Sequence, residues 1–351
     1  MLLLGGFMKK SIVTLAGAIA LFGLGAGVIA TPSLAQDRQE IRWATSSVGS
    51  AGHRALVSLS QVLNRNIEDI SITVMPTPGA AASVRGFAAG QFDGYYGADV
   101  AFHEIADNTG RYVGFEPGEN ELLQSFWAYT LEMGLGVRAA DADDLEGWRS
   151  LQGRPVFTSP APWDTRAALE RAMNILEVGH EYVEVDTSLA AQALENGTVD
   201  AIAIYTTGET SPAPWVQEAL LSTDVRVLNP TEEEIAELEA AGIQTVRVAG
   251  ASFDNAIGAE EAVLVPFYYG FHVGLNLDEE TVHKMLVVIE ENIDEIVAAD
   301  PGLSQLKEDL VGMQVRGIES VGEAARIHPG LARFLKERDA WKEEWNDRVA
   351  G

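Results

Sequence analysis

Short apolar runs and stretches with helical spacing alternate along most of the chain. Ile41 to Thr45 predicts a brief strand, Ser46 to His53 a small-residue loop, and Arg54 to Leu63 a helix with one apolar face. Ile70 to Met75 alternates apolar and polar residues and predicts a second strand. The Pro/Gly-rich run Pro76 to Ser83 follows it and leads into a helix over Val84 to Ala89. Phe92 to Tyr96 predicts a third strand and Val100 to Ala106 a helix. After a loop at Asn108 to Asn120, Ser125 to Val137 is an apolar and aromatic strand. The same reading gives helices over Thr165–Leu176, Leu189–Glu195, Pro214–Leu221 and Glu232–Ala241. It places strands over Glu181–Val185, Val199–Tyr205 and Val225–Leu228. Ala262 to Val273 is a second long strand, and the remainder is mainly helical, including Glu279 to Ala299 and a polar tail from Leu331 to Val349.

Two phrases occur twice. IRWATSSVGSAGHRALVSLSQVL (Ile41 to Leu63) and RPVFTSPAPWDTRAALERAMNIL (Arg154 to Leu176) both read strand, Thr-Ser, polar loop, amphipathic helix, with Thr45 and Thr158 113 positions apart (158 − 45). FAAGQFDGYYGADVAFHEI and LENGTVDAIAIYTTGETSPAPW both place Asp three residues after Gly, at Gly90/Asp93 and Gly197/Asp200, 107 positions apart (197 − 90). Two lobes of like design are expected, each bringing strand ends and helix starts to a shared cleft, where open α/β sheets bind ligands. The predicted organisation is α/β, with two discontinuous α/β lobes joined by a hinge around that cleft. Residues 36–137 and 256–351 form one lobe and 138–255 the other. Asp93 and Asp200 are expected to satisfy turn N–H groups where helix hands over to strand.

Composition narrows the chemistry. A length of 351 residues suits about two domains. The net charge of −28 argues against a nucleic-acid partner, since phosphate recognition needs a basic face. With no cysteine, disulfides, thiolate nucleophiles and Cys-based zinc sites are excluded. Lys9 and Lys10, the apolar run Ser11 to Ala30 and the small-residue site Ser33-Leu34-Ala35 have the form of a secretory signal peptide over 1–35. Cleavage near Ala35 and a periplasmic location are expected; retention of the run as a membrane anchor is the alternative.

Five phrases in order resemble the extracytoplasmic solute receptors of TRAP transporters, TAXI type. They are IRWATSSVGSAGHRALVSLSQVLN, ISITVMPTPGAAASVRGFAAGQFDGYYGADVA, DDLEGWRSLQGRPVFTSP, AAQALENGTVDAIAIYTTGETSPAPWVQEA and IHPGLARFLKE. The sequence departs from the family's pattern where His53 and Arg54 follow Gly52, and where SPAPWDTR (Ser159 to Arg166) replaces a Gly-rich loop. The resemblance implies a fold like that of type II periplasmic binding proteins. It also implies capture of a small organic anion (an amino acid such as glutamate or glutamine, or a dicarboxylate), delivery to TRAP-type membrane permease subunits, no cofactor or metal, and no catalysis. A receptor for an ABC importer is the first alternative. A two-lobed periplasmic enzyme is the second, although the chain lacks the His-Glu-x-x-His, G-x-S-x-G and Walker phosphate-loop motifs.

The candidate ligand contacts lie in the loops that open helices, where unpaired N–H groups and partial positive charge favour anions. From the first loop they are Ser46, Ser47, Gly49, Ser50, Gly52, His53 and Arg54, and from the second Thr77 and Gly79. The second lobe adds Ser159, Trp163, Asp164, Thr165 and Arg166, with Tyr205, Thr206 and Thr207 at the end of its central strand. Ser and Thr hydroxyls at these places serve equally as ordinary helix caps. Arg54 and Arg166 either clamp a carboxylate bidentately or lie on outward helix faces beside the plentiful acids. Trp163 either stacks on the ligand or packs the wall. Asp99 and Asp164 either bind a ligand ammonium or cap helices.

Overall fold

The computed structural model describes residues 38–351 apart from Gly49 and Pro117, so the expected signal peptide and its cleavage position lie outside the described residues. The first half opens with β1 (Gln39–Thr45), α1 (Ala51–Asn66), β2 (Ile70–Pro76), α2 (Ala80–Ala88), β3 (Tyr95–Ala98) and α3 (Asp99–Ala106). A short β4 (Leu123–Gln124) leads into the long β5 (Trp127–Arg138). The second half runs β6 (Pro155–Phe157), α4 (Asp164–Ile175), β7 (Glu181–Tyr182), α5 (Ala190–Glu195), β8 (Ala201–Thr207), β9 (Ser211–Pro212) and α6 (Pro214–Ser222). It finishes with β10 (Val225–Leu228), α7 (Glu232–Ala240) and β11 (Val246–Ala249). The chain returns along β12 (Glu261–His272) to α8 (Glu279–Glu291), α9 (Ile293–Ala299), α10 (Ser304–Val321), β13 (Arg326–Ile327) and α11 (Pro329–Lys336).

The repeated phrases correspond to repeated structure. In the first half Trp43 bridges Gly94 in parallel; in the second, Val156 pairs with Ala201 in parallel. The partners are displaced by 113 (156 − 43) and 107 (201 − 94), the offsets of the sequence echoes. Asp93 N–H donates to Arg42 O at 2.9 Å and Asp200 N–H to Pro155 O at 2.7 Å, again at those displacements. The two aspartates do not serve turn N–H groups, however. Asp93 accepts from the N–H and Nε of Arg42 on β1 (2.8 and 3.0 Å), and Asp200 from Arg138 Nη2 at 2.9 Å. A guanidinium on a neighbouring strand supplies a charged donor that a turn lacks.

Two long strands join the halves. β5 and β12 pair antiparallel from Val265↔Met133 to Gly270↔Trp127. One end of β12 pairs with β3 and the other with β11. β5 carries β8 along Leu131 to Val137 and β10 along Leu135 to Arg138. Every residue of β8, and of β5 from Trp127 to Val137, is buried, as expected for strands covered on both faces. On one face α10 crosses β5 with Gly317 against Trp127, where an added Cβ would fall 2.2 Å from the indole. No helix of the described residues is long and apolar enough to cross a membrane.

Two helical expectations are corrected. Glu279 to Ala299 is divided at Asn292, whose backbone leaves the helical region while its Nδ2 donates to Val288 O at 2.8 Å. A side chain that binds the backbone in this way competes with helix continuation. The tail is α11 and a separate 3-10 turn over Glu343–Arg348, with Trp341 packed edge-on against Trp345 at 5.3 Å.

The junction of the halves holds a buried carboxyl. Glu132 on β5 is 0% exposed; it accepts from Thr206 Oγ1 at 2.6 Å and from the Glu209 N–H at 2.9 Å, and also bonds Thr130. Burial lifts its pKa from 4.5 to about 7, against the lowering effect of those hydrogen bonds. A raised folded-state pKa means that the stabilising contribution is complete below about 4.5 and is lost as pH rises through about 7. Glu132→Gln, which cannot ionise, is therefore expected to melt a few degrees above the parent at pH 8.5 and close to it at pH 5. Calorimetry at both pH values checks this; an advantage confined to pH 5 would contradict it.

Candidate functional site

Four helices begin at one cavity of about 510 Å³. Ser50, Ala51, Gly52 and Arg54 reach it from the start of α1, and Gly79 and Ala80 from the start of α2. Trp163, Asp164 and Thr165 at the start of α4 and Trp215 in the first turn of α6 form the opposing wall. The first N–H groups of a helix have no intrahelical partner, so these starts direct donors and partial positive charge into the opening. The first turns of α1, α2 and α6 hold no acid, in a chain with 52 Asp and Glu against 24 Lys and Arg.

The loop chemistry explains how α1 is aimed. Ser50 caps it, accepting from the His53 N–H at 3.2 Å, and its hydroxyl is 2.5 Å from that of Ser46. Gly52 lies flat against Tyr96, where a Cβ would sit 2.6 Å from the ring, so only glycine lets the helix start approach so closely. Tyr96 stacks on Tyr269 at 4.5 Å with an interplanar angle of 4°, and its hydroxyl is 2.6 Å from that of Tyr129. Burial raises the pKa of both stacked tyrosines well above the ordinary phenol value, which keeps them neutral.

Of the residues singled out from the sequence, Ser46, Ser47, Ser50, Gly52, Arg54, Gly79, Trp163, Asp164, Thr165, Tyr205 and Thr207 are brought together at this cavity. Gly49 lies outside the described residues. The others do not line it. His53 is partly buried on α1, its N–H bound to Ser50. The Thr77 hydroxyl sits behind the second loop, 2.6 Å from Thr45 O and 2.8 Å from Gly79 O. Ser159 is buried, with its hydroxyl 2.7 Å from that of Thr165. Thr206 points to the other face of β8 and binds Glu132, while its neighbour Thr207 faces the cavity. Of the three residues expected at this strand end, alternation puts Tyr205 and Thr207 on the cavity face and Thr206 on the other.

The two arginines part company. Arg54 lines the cavity, and no ion pair among the described residues includes it. Arg166 lies over the Tyr182 ring at 3.6 Å and pairs with Glu170 at 3.4 Å, on the helix face rather than in the opening. Asp99 belongs elsewhere, to a separate cavity of about 290 Å³ that also meets Arg171 and Arg316. It accepts from the Val100 N–H at 2.6 Å, and burial raises its pKa to about 7.

Asp164 is neither open to solvent nor a simple cap. Its side chain is 1% exposed, pairs with Arg111 Nη1 at 2.5 Å and accepts from Tyr269 Oη at 2.8 Å. Arg111 also donates to Glu104 at 2.9 Å; burial opposes its charge, but Asp164 and Glu104 outweigh burial and hold its pKa raised. Since Arg111 follows α3 and Asp164 opens α4, this pair ties the two halves at the cavity. Sequence reasoning missed Arg111, which sits in the irregular stretch after α3. It also missed Tyr96, Tyr269, Trp215 and Asp300, which reach the cavity from four separate parts of the chain.

No family model matches the chain, and no curated protein does. Solved structures with a similar fold include the periplasmic aliphatic sulphonate binding protein SsuA of Escherichia coli, at 14% identity and TM-score 0.45 over 85% of this chain and 78% of that one. Another is the alkanesulfonate-binding protein SsuA of Xanthomonas axonopodis pv. citri bound to MOPS, at 13% and 0.42 over 90% and 99%. A third is the ligand binding component of an ABC-type import system from Staphylococcus aureus with zinc bound, at 9% and 0.43 over 90% and 97%.

Removing one member of a buried pair strands the other charge, at a cost of about 3–5 kcal/mol, whereas exposed pairs contribute up to about 1 kcal/mol. Arg111→Gln is therefore expected to lose several kcal/mol in a urea titration, against under about 1 kcal/mol for Lys284→Gln, whose pair with Asp69 is 43% and 54% exposed. Equal losses would show that the Arg111–Asp164 pair does not hold the halves together.

Proposed function

We propose that this chain is an extracytoplasmic solute receptor that captures a small organic anion in the cavity where α1, α2, α4 and α6 begin, and hands it to a membrane importer. The observation that carries the reading is the absence of acids from the first turns of α1, α2 and α6 together with an Arg54 that no ion pair among the described residues includes, in a protein of net charge −28. An acid-rich chain that keeps several helix starts clear of carboxylates, all facing one cavity, has a place for someone else's negative charge. Ser46, Ser47, Ser50, Gly79 and Thr165 supply hydroxyls and main-chain donors, Arg54 the formal charge, and Trp163 and Tyr205 the apolar wall.

In this proposal the lobes are 36–137 with 256–351, and 138–255, and they close about β5 and β12. Ligand stabilises the closed form only by binding it better than the open one. The leader is removed near Ala35 and the mature receptor works outside the cytoplasmic membrane, without catalysing a reaction.

Two importer classes fit. The five ordered phrases resemble TRAP receptors of the TAXI type, with an ion-gradient permease as partner. An ATP-driven ABC importer is the second reading; the similar Staphylococcus aureus structure is the ligand binding component of an ABC-type import system. Uptake by whole cells separates them: an ionophore that collapses the ion gradient abolishes TRAP-coupled uptake, whereas depletion of ATP at constant gradient abolishes the ABC-coupled kind.

The anchor is tested by titration calorimetry with ligands found in a thermal-shift screen of carboxylates, amino acids and sulfonates. Arg54→Ala is expected to weaken an anionic ligand at least tenfold, about 1.4 kcal/mol, and Arg166→Ala to leave affinity within twofold. A loss at Arg166 equal to that at Arg54, or no loss at either, would overturn the assignment.

A further inference from the structure

The walls of this cavity are more aromatic than a short-chain dicarboxylate would need, and they carry one acid that nothing occupies. Its volume of about 510 Å³ falls within the roughly 300–1,000 Å³ of pockets that enclose drug-sized ligands. Trp163 and Trp215, from two different helices, are both only partly buried in it. The Trp215 indole N–H is committed to Tyr205 Oη at 2.9 Å, so this ring offers an apolar surface and no donor. Two indoles left partly wet in one opening, with the stacked Tyr96 and Tyr269 beside them, form an apolar lining that gains from being covered by another ring.

The charged groups are as specific as the rings. Asp300, just before α10, is 6% exposed and lines the cavity. Its Oδ1 accepts from the Gly302 N–H at 3.1 Å, while Oδ2 takes no hydrogen bond from any described residue. Asp164, by contrast, has an ion-pair partner in Arg111, which meets Oδ1 without a hydrogen bond, and accepts from Tyr269 at Oδ2. No ion pair joins Asp300 to Arg54, although both line the same space. The cavity thus holds a carboxylate and a guanidinium that feel each other's charge without forming an ion pair, beside the open helix starts. Most of Asp300 is buried while its unbonded Oδ2 opens on the cavity, where a cation that reaches it offsets the cost of the partly desolvated charge.

From this geometry we infer that the ligand is a zwitterion bearing an aryl group, of the aromatic α-amino acid class. Its carboxylate meets Arg54 and the starts of α1 and α2, its ammonium meets Asp300, and its ring lies between Trp163 and Trp215. The inference rests on the cavity being the solute site, as proposed above, and goes further in assigning an ammonium contact to Asp300 and a ring contact to the tryptophans.

Titration calorimetry on the mature protein tests the three contacts separately, with L-phenylalanine, L-tryptophan, 3-phenylpropionate, which lacks the ammonium, and L-alanine and L-glutamate, which lack the ring. Phenylalanine or tryptophan is expected to bind at least tenfold tighter than 3-phenylpropionate, alanine or glutamate. Asp300→Asn keeps an acceptor for Gly302 and is expected to abolish the preference for phenylalanine over 3-phenylpropionate while leaving 3-phenylpropionate affinity within twofold. Trp163→Leu is expected to weaken the aryl ligands at least fivefold and alanine little.

Equal binding of phenylalanine and 3-phenylpropionate by the parent, or an equal loss for both in Asp300→Asn, overturns the ammonium contact. Tighter binding of alanine or glutamate overturns the ring contact. Should only dicarboxylates or sulfonates bind, with loss at Arg54→Ala, the aryl zwitterion is wrong and the anion receptor stands. If no member of the wider screen binds in an Arg54-dependent way, both fail.

Discussion

The pairing of β5 with β12 is the contact on which the two halves depend. Each strand has one end in each half, so the segment from Val265↔Met133 to Gly270↔Trp127 is both the joint between them and the floor beneath the cavity. Antiparallel pairing of two strands can twist and bend while its hydrogen bonds stay made, whereas packed helices have to slide or separate. Leu131 and Tyr269, one on each strand, line the cavity, so a change in twist here moves the cavity wall directly. The Glu132 network and the Arg111–Asp164 pair sit on either side of this joint and set how firmly the halves are held in the arrangement seen.

The repeat was legible in the sequence because it is written in local features. A strand, a small-residue loop and a helix start each leave a signature over a few residues, and the offsets of 113 and 107 recur in the bridge from Trp43 to Gly94 and the pair Val156–Ala201. The loops that open helices were legible for the same reason, which is why Ser50, Gly52, Gly79 and Trp163 meet at the cavity. Contacts made across long separations left no such mark. Arg111 finds Asp164 53 positions away (164 − 111), and Asp300 reaches the cavity from the helical region that closes the chain. Nothing adjacent to either residue in the sequence announces its partner. Thr206 and Arg166 show a different limit. They have the right chemistry and the right neighbourhood, but strand alternation and a nearby tyrosine ring turn their side chains away.

The excess of acid and the proposed anion site are compatible because of where the charge lies. Long-range repulsion between exposed carboxylates and an approaching anion is damped over a Debye length of about 8 Å at physiological ionic strength. Inside the cavity, water no longer screens well, and the nearest groups dominate. There Asp164 is compensated by Arg111 and a tyrosine hydroxyl. The remaining terms are helix starts without first-turn acids, one guanidinium and the single carboxylate of Asp300. Net charge thus describes the solvent-facing surface of this protein, while the sign of the potential a ligand meets is set by a handful of residues that the composition does not reveal. That separation gives Asp300 its meaning. In a cavity otherwise arranged for negative charge, a largely buried acid with one oxygen open to the cavity repels a plain dianion and favours a molecule that carries its own cation at the right end.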